Sequence, residues 1–229
     1  MKQIQDSGNV DQWKTLYKIA GFAVIVMLII IPAQIAVFIT TPIPASIESW
    51  FSLFNSNWLL GLIHQDMLYI INNIIVSVMY LAFYIALRPN NKSIMTIAIL
   101  LGLLGISAYF ASNKSFELLI ISNQYYVATS EVQKSMFLSA GQALLCGWQG
   151  TAFLIYYILN GIALIMISYV MLKSTVFSKK MAIIGLISGV LMMVPSTAGT
   201  IGIIFSLSSL IPWYVFSIIT ARKFLQMGK

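Results

Sequence analysis

The chain has 229 residues, is 59% hydrophobic and only 8% charged, and carries a net charge of +7; its mean hydropathy is +0.91. A soluble domain holds roughly 25% charged residues, so this composition excludes an ordinary water-soluble enzyme and places the chain among integral membrane proteins. One cysteine and one histidine leave no intramolecular disulfide, no cysteine-based zinc cluster and no bis-histidine haem.

Residues 1–15 are polar and contain Lys2 and Lys14, and Trp13 and Tyr17 suit a helix entering the headgroup layer. A first span is predicted over 16–40, with a kink at Pro32. It is longer than a signal-peptide core and no small-residue cleavage site follows, so it reads as a retained helix. Residues 41–57 hold Pro42, Pro44, Glu48, Trp50 and Phe54. Within them, 44–54 reads as a short surface helix with Trp50 and Phe54 dipping into lipid.

The second span, 58–87, is read as one helix of about thirty residues, long enough to cross a bilayer with a turn or two to spare. Asp66, Tyr69, Asn73, Ser77, Tyr80 and Tyr84 recur along it at steps of three or four, which sets them on one side. Lipid offers no hydrogen bonds, so the stripe is expected to turn toward other helices or a wet cavity. A tight basic loop at 88–92 leads to a third span over 93–111, where Gly102 and Gly105 allow a neighbour to approach closely.

Residues 115–128 are too short and polar to cross, and 130–145 looks helical again, with Ser130 as N-cap and Glu131 and Lys134 in its first turns. The expectation is a lid of two short helices on the outer side. A fourth span over 148–172 carries Gln149, Tyr156 and Asn160 at helical spacing. A basic loop at 173–180 precedes a fifth span over 181–195 and a sixth over 201–221, which Pro212 bends. Cys146 reads as a small buried apolar residue.

With the N-terminus inside, eleven basic residues fall on the inner side: Lys2, Lys14 and Lys18; Arg88 and Lys92; Lys173, Lys179 and Lys180; Arg222, Lys223 and Lys229. Two, Lys114 and Lys134, fall outside. That bias predicts six spans with both termini cytoplasmic. It accounts for the positive charge through anionic headgroups at the cytoplasmic face, with no nucleic acid partner.

The stretches SNKSFELLIISNQYYVA, GQALLCGWQGTAFLIYYIL and ISYVMLKSTVFSKKMAIIGLISG resemble a family of small bacterial multi-pass membrane proteins known only as a domain of unknown function. The resemblance spans about residues 15–225. Its pattern has an acidic residue early in span two, matching Asp66; a Ser-Asn…Glu motif, matching Ser112, Asn113 and Glu117; and a Gln-Tyr pair, matching Gln124 and Tyr125. Gln142 stands where the family has Glu, and Gln149 where it has Asn. The resemblance implies the six-span fold and a bacterial cytoplasmic membrane, and it assigns no reaction.

Asp66 sits where the hydrocarbon begins. It reads either as a polar anchor or proton acceptor, or as a helix-start residue favoured by the helix dipole. His64, beside it, is either a titrating interfacial group or a plain surface histidine. Glu117 and Gln124 share a face with Tyr125 alongside. They form a pocket mouth on one reading and an ordinary helix start on the other. Asn73, Gln149, Tyr156 and Asn160 either line a cavity or bond neighbouring helices. No catalytic residue, metal or cofactor is expected, since no phosphate-binding glycine loop, intramembrane lysine or nucleophile motif is present. The fold expected is an all-α six-span bundle with a short-helix lid. The functions weighed are binding or translocation of a small amphipathic molecule or lipid, a structural or partner-binding subunit, and a lipid-modifying enzyme using Asp66 and Glu117.

Overall fold

A computed structural model describes residues 12–229; the polar start of the chain, including Lys2, lies outside the described residues. Ten α-helices and no strand occur among the described residues. They are α1 Lys14–Thr40, α2 Ile47–Ser56, α3 Trp58–His64, α4 Met67–Leu87, α5 Lys92–Ser112, α6 Ser115–Val127, α7 Glu131–Trp148, α8 Thr151–Leu172, α9 Lys179–Met192 and α10 Gly199–Met227.

Five stretches are long and apolar enough to cross a membrane: Lys14–Thr40, Met67–Leu87, Lys92–Val127, Glu131–Leu172 and Gly199–Met227. The expected fifth span, 181–195, corresponds to α9 and is not among them. The 14 residues of α9 reach only about 21 Å against a hydrocarbon core of about 30 Å, so a count of six is approximate. The exposed faces are apolar: Phe22, Ile29, Ile74, Leu100, Ile187 and Ile211 all stand outward. That is the arrangement of a protein whose surroundings are lipid.

The chain divides into two compact groups. The first holds the residues up to Ile29, with Asn72–Ile106 and Tyr156–Lys229. Its core is aromatic: Phe83 lies 4.9 Å from Phe224, 5.6 Å from Phe177 and 5.8 Å from Phe216, centroid to centroid. The polar stripe of α4 turns inward here, with Asn73 and Tyr80 buried while Ile71, Ile74 and Leu81 face out. The Tyr80 hydroxyl donates to Asn160 Oδ1 at 2.7 Å, and Asn160 Nδ2 donates to the Tyr156 carbonyl at 3.0 Å. The two glycines of α5 lie against this pair. A methyl group on Gly102 would overlap the Tyr80 ring, and one on Gly105 the Asn160 amide.

Pro32 interrupts the ladder of α1. It has no N–H to give the Leu28 carbonyl one turn earlier, and the Tyr214 hydroxyl of α10 donates to that carbonyl instead. At the helix start, the Arg88 guanidinium lies 5.8 Å from the Trp13 ring and 5.9 Å from the Tyr84 ring, a pairing suited to a headgroup boundary.

The second group holds Ile30–Ile71 and Ser107–Ile155. Its core is built from Ile47, Trp50, Phe51, Phe54, Leu62, Leu118 and Trp148. Three expectations are corrected in it. Trp50 and Phe54 do not dip into lipid: each is 2% exposed, because Trp50 meets the Trp148 indole edge-on at 5.9 Å and Phe54 fills the notch over Gly61. The 58–87 stretch is not one helix; α3 ends at His64 and α4 starts at Met67. Cys146 is exposed rather than buried, since α7 buries only Gly141 and Trp148. The two short helices read from 115–145 are present as α6 and α7. Ser130 caps α7 by accepting from the Gln133 N–H at 3.2 Å, and Lys134 pairs with Glu131 at 3.0 Å.

Candidate functional site

The break between α3 and α4 gathers most of the buried polar chemistry of the second group. Nothing in the local sequence HQD is a strong helix breaker, and the break is held from a distance. The Gln65 carbonyl accepts from Asn113 Nδ2 at 2.7 Å and from Ser115 Oγ at 3.0 Å. Asn113 Oδ1 in turn accepts from the Ser115 N–H at 3.1 Å and, at 2.6 Å, shares with the Gln65 carbonyl the one proton of the Ser115 hydroxyl. Tyr109 donates to the Asp66 carbonyl at 3.4 Å. Asp66 itself adopts φ 60°, left-handed backbone that few residues other than glycine, asparagine and aspartate tolerate.

Three side chains at the break carry hydrogen-bonding atoms that meet no partner among the described residues. Gln34, on the buried stripe of α1, donates through Nε2 to the Ile63 carbonyl at 3.0 Å, while its Oε1 has no partner. His64 is fully buried; its Nε2 lies 3.0 Å from Thr41 Oγ1, and its Nδ1 has no partner. The imidazole stacks on Phe38 at 5.6 Å and meets the Trp50 edge at 6.4 Å. Both polar atoms of the Gln65 side chain are buried without a partner. Buried polar groups are normally satisfied, and each exception costs about 1–3 kcal/mol.

Asp66 stands just ahead of the span Met67–Leu87 and keeps part of its surface exposed. Desolvation pushes its carboxyl up to about 7, against the opposing effect of a hydrogen bond with Trp148. Burial holds His64 below its ordinary value. An acid that titrates near neutrality thus adjoins an imidazole kept neutral.

Of the residues singled out in the sequence, the structure brings Asp66 and His64 to this break. Glu117 lies exposed in the first turn of α6, and Gln124 is exposed farther along the same helix. Tyr125 packs on Phe51 at 5.3 Å. Gln149 is the exposed C-cap of α7. Asn73, Tyr156 and Asn160 belong to the first group, where Tyr156 and Asn160 serve the hydrogen bonds already described. Gln34, Gln65 and Ser115 were not singled out in the sequence. For Gln34 a signal existed: it is the one amide side chain in the apolar run 19–38. Among the described residues no group of three His, Cys, Asp or Glu side chains is placed to hold a metal.

A family model described as "Domain of unknown function (DUF4386)" matches residues 19–222. No curated protein and no solved structure matches the chain.

Proposed function

The chain belongs to the DUF4386 family, and on that premise we propose that this membrane protein binds a small amphipathic molecule by its polar head at the α3–α4 break. The observation that carries this reading is the set of unfilled hydrogen-bonding atoms on Gln34, His64 and Gln65, buried beside Asp66. A ligand bearing both a donor and an acceptor would fill them, with Phe38, Trp50 and Trp148 as aromatic walls. Asp66, titrating near neutrality, would make occupancy sensitive to pH. The inward termini rest on the distribution of lysine and arginine, and the bacterial cytoplasmic membrane rests on the family resemblance alone.

A structural or partner-binding role is the second reading. It draws on the close packing next to the break, where methyl groups on Gly61 and Gly141 would meet Phe54 and Phe51. A lipid-modifying enzyme using Asp66 and Glu117 has less behind it, because Glu117 is exposed and shares no bonded partner with Asp66 among the described residues.

Native mass spectrometry of the protein released from lipid nanodiscs separates the first two readings. Wild type should carry a defined small molecule that Asp66→Asn and Gln65→Leu both lose. Gln65→Leu removes two unsatisfied atoms, so it should leave the melting temperature unchanged or raised. No adduct beyond bulk lipid, in wild type and variants alike, would move the balance to the structural role.

A further inference from the structure

A second feature lies in the other compact group and does not depend on the α3–α4 break. A cavity of about 500 Å³ opens between the 173–178 loop, the start of α9 and the last turns of α10. Four of its lining residues, Ile219, Arg222, Lys223 and Gln226, follow the spacing of one helix face. Arg222 and Lys223 meet no carboxylate among the described residues, so their charge is uncompensated by the protein there.

The opposite wall is preformed. Phe177 is buried against Phe83 and Phe224, at 5.6 and 6.3 Å. Asn90 Nδ2 donates to the Lys173 carbonyl at 3.3 Å, and Ser178 caps α9 by accepting from the Met181 N–H at 3.2 Å. The loop is therefore tied at both ends and in its middle, and binding there costs little ordering. The lining is also two-sided in chemistry: Val176, Met181 and Ile219 are apolar, whereas Arg222, Lys223 and Gln226 offer only donors or a neutral amide. A free anion has no use for the apolar side. A phosphodiester with acyl chains attached uses both.

We propose that this cavity holds the headgroup of an anionic phospholipid, with the phosphate on Arg222 and Lys223 and the start of the acyl chains against Val176 and Ile219. The test uses the full chain in nanodiscs of mixed phosphatidylglycerol and phosphatidylcholine, with lipid retention read by native mass spectrometry. Wild type should retain phosphatidylglycerol selectively. The double variant Arg222→Gln, Lys223→Gln should lose roughly 30-fold of that preference, about fivefold for each basic group near the membrane surface. The equally charged control Lys179→Gln, Lys180→Gln alters exposed lysines that do not line the cavity and should keep most of it.

Val176→Trp fills the space without touching a charge and should also lose retention; it decides the matter if the charge variant fails to fold. Equal losses in the two charge variants would mean a diffuse surface field rather than a site, and overturn the proposal. So would absence of selectivity in wild type, or retention that survives Val176→Trp. Inorganic phosphate that stabilises wild type in phosphatidylcholine alone, through Arg222 and Lys223, would assign the cavity to a soluble anion instead.

Discussion

Raising the pH from about 4 to about 7 is expected to cost the protein stability through Asp66, and Asp66→Asn is expected to abolish that loss. Its folded carboxyl titrates at about 7, against 3.8 when unperturbed. Between those values the folded state holds a proton that the unfolded state has released. Stability is thus greatest below about pH 4, falls as pH rises through the window and levels off above about 7. The shift corresponds to about 4 kcal/mol, an upper bound for a carboxyl that keeps some solvent contact.

His64 works in the opposite sense. Burial lowers its folded value below 6.5, so its contribution is present above that value and is lost as the pH drops below it. Wild type should show the two trends partly cancelling. Asp66→Asn should leave only the loss toward acid, and His64→Gln only the loss toward neutral. Melting temperatures against pH in one detergent test this, and an Asp66→Asn profile parallel to wild type between pH 4 and 7 would refute it.

Tyr214→Phe should destabilise the protein by about 1–3 kcal/mol, because it strips the Leu28 carbonyl of the donor that replaces the missing Pro32 amide. The prediction has an internal control. Pro32→Ala supplies an N–H one turn below that carbonyl, so Tyr214→Phe made on the Pro32→Ala background should cost much less. A double-mutant cycle measures the difference. If the two costs are equal, the hydroxyl contributes by packing alone.

The helices were legible because their signals are local. Apolar runs mark the long helices, Ser130 marks a cap, and the three-and-four spacing of Asn73, Ser77 and Tyr80 marks the inward face of α4. The candidate site was only partly legible, because the feature that makes it is not local. Residues 64–66 contain no glycine or proline, and the helix stops there because Asn113 and Ser115, about fifty positions away, take the Gln65 carbonyl. Gln65 therefore read as one more residue of a continuous span. The same holds for Trp50 and Phe54: an amphipathic pattern states that one face is apolar, and only the position of Trp148 decides that this face meets protein.

Exposure of Cys146 on α7 has a practical side. It is the sole thiol in the chain, so any maleimide labelling is confined to one known place without any residue being engineered away. A reagent unable to cross the bilayer then turns that one atom into a compass for the chain, because the side from which it reacts fixes the orientation of the helices on either side of it.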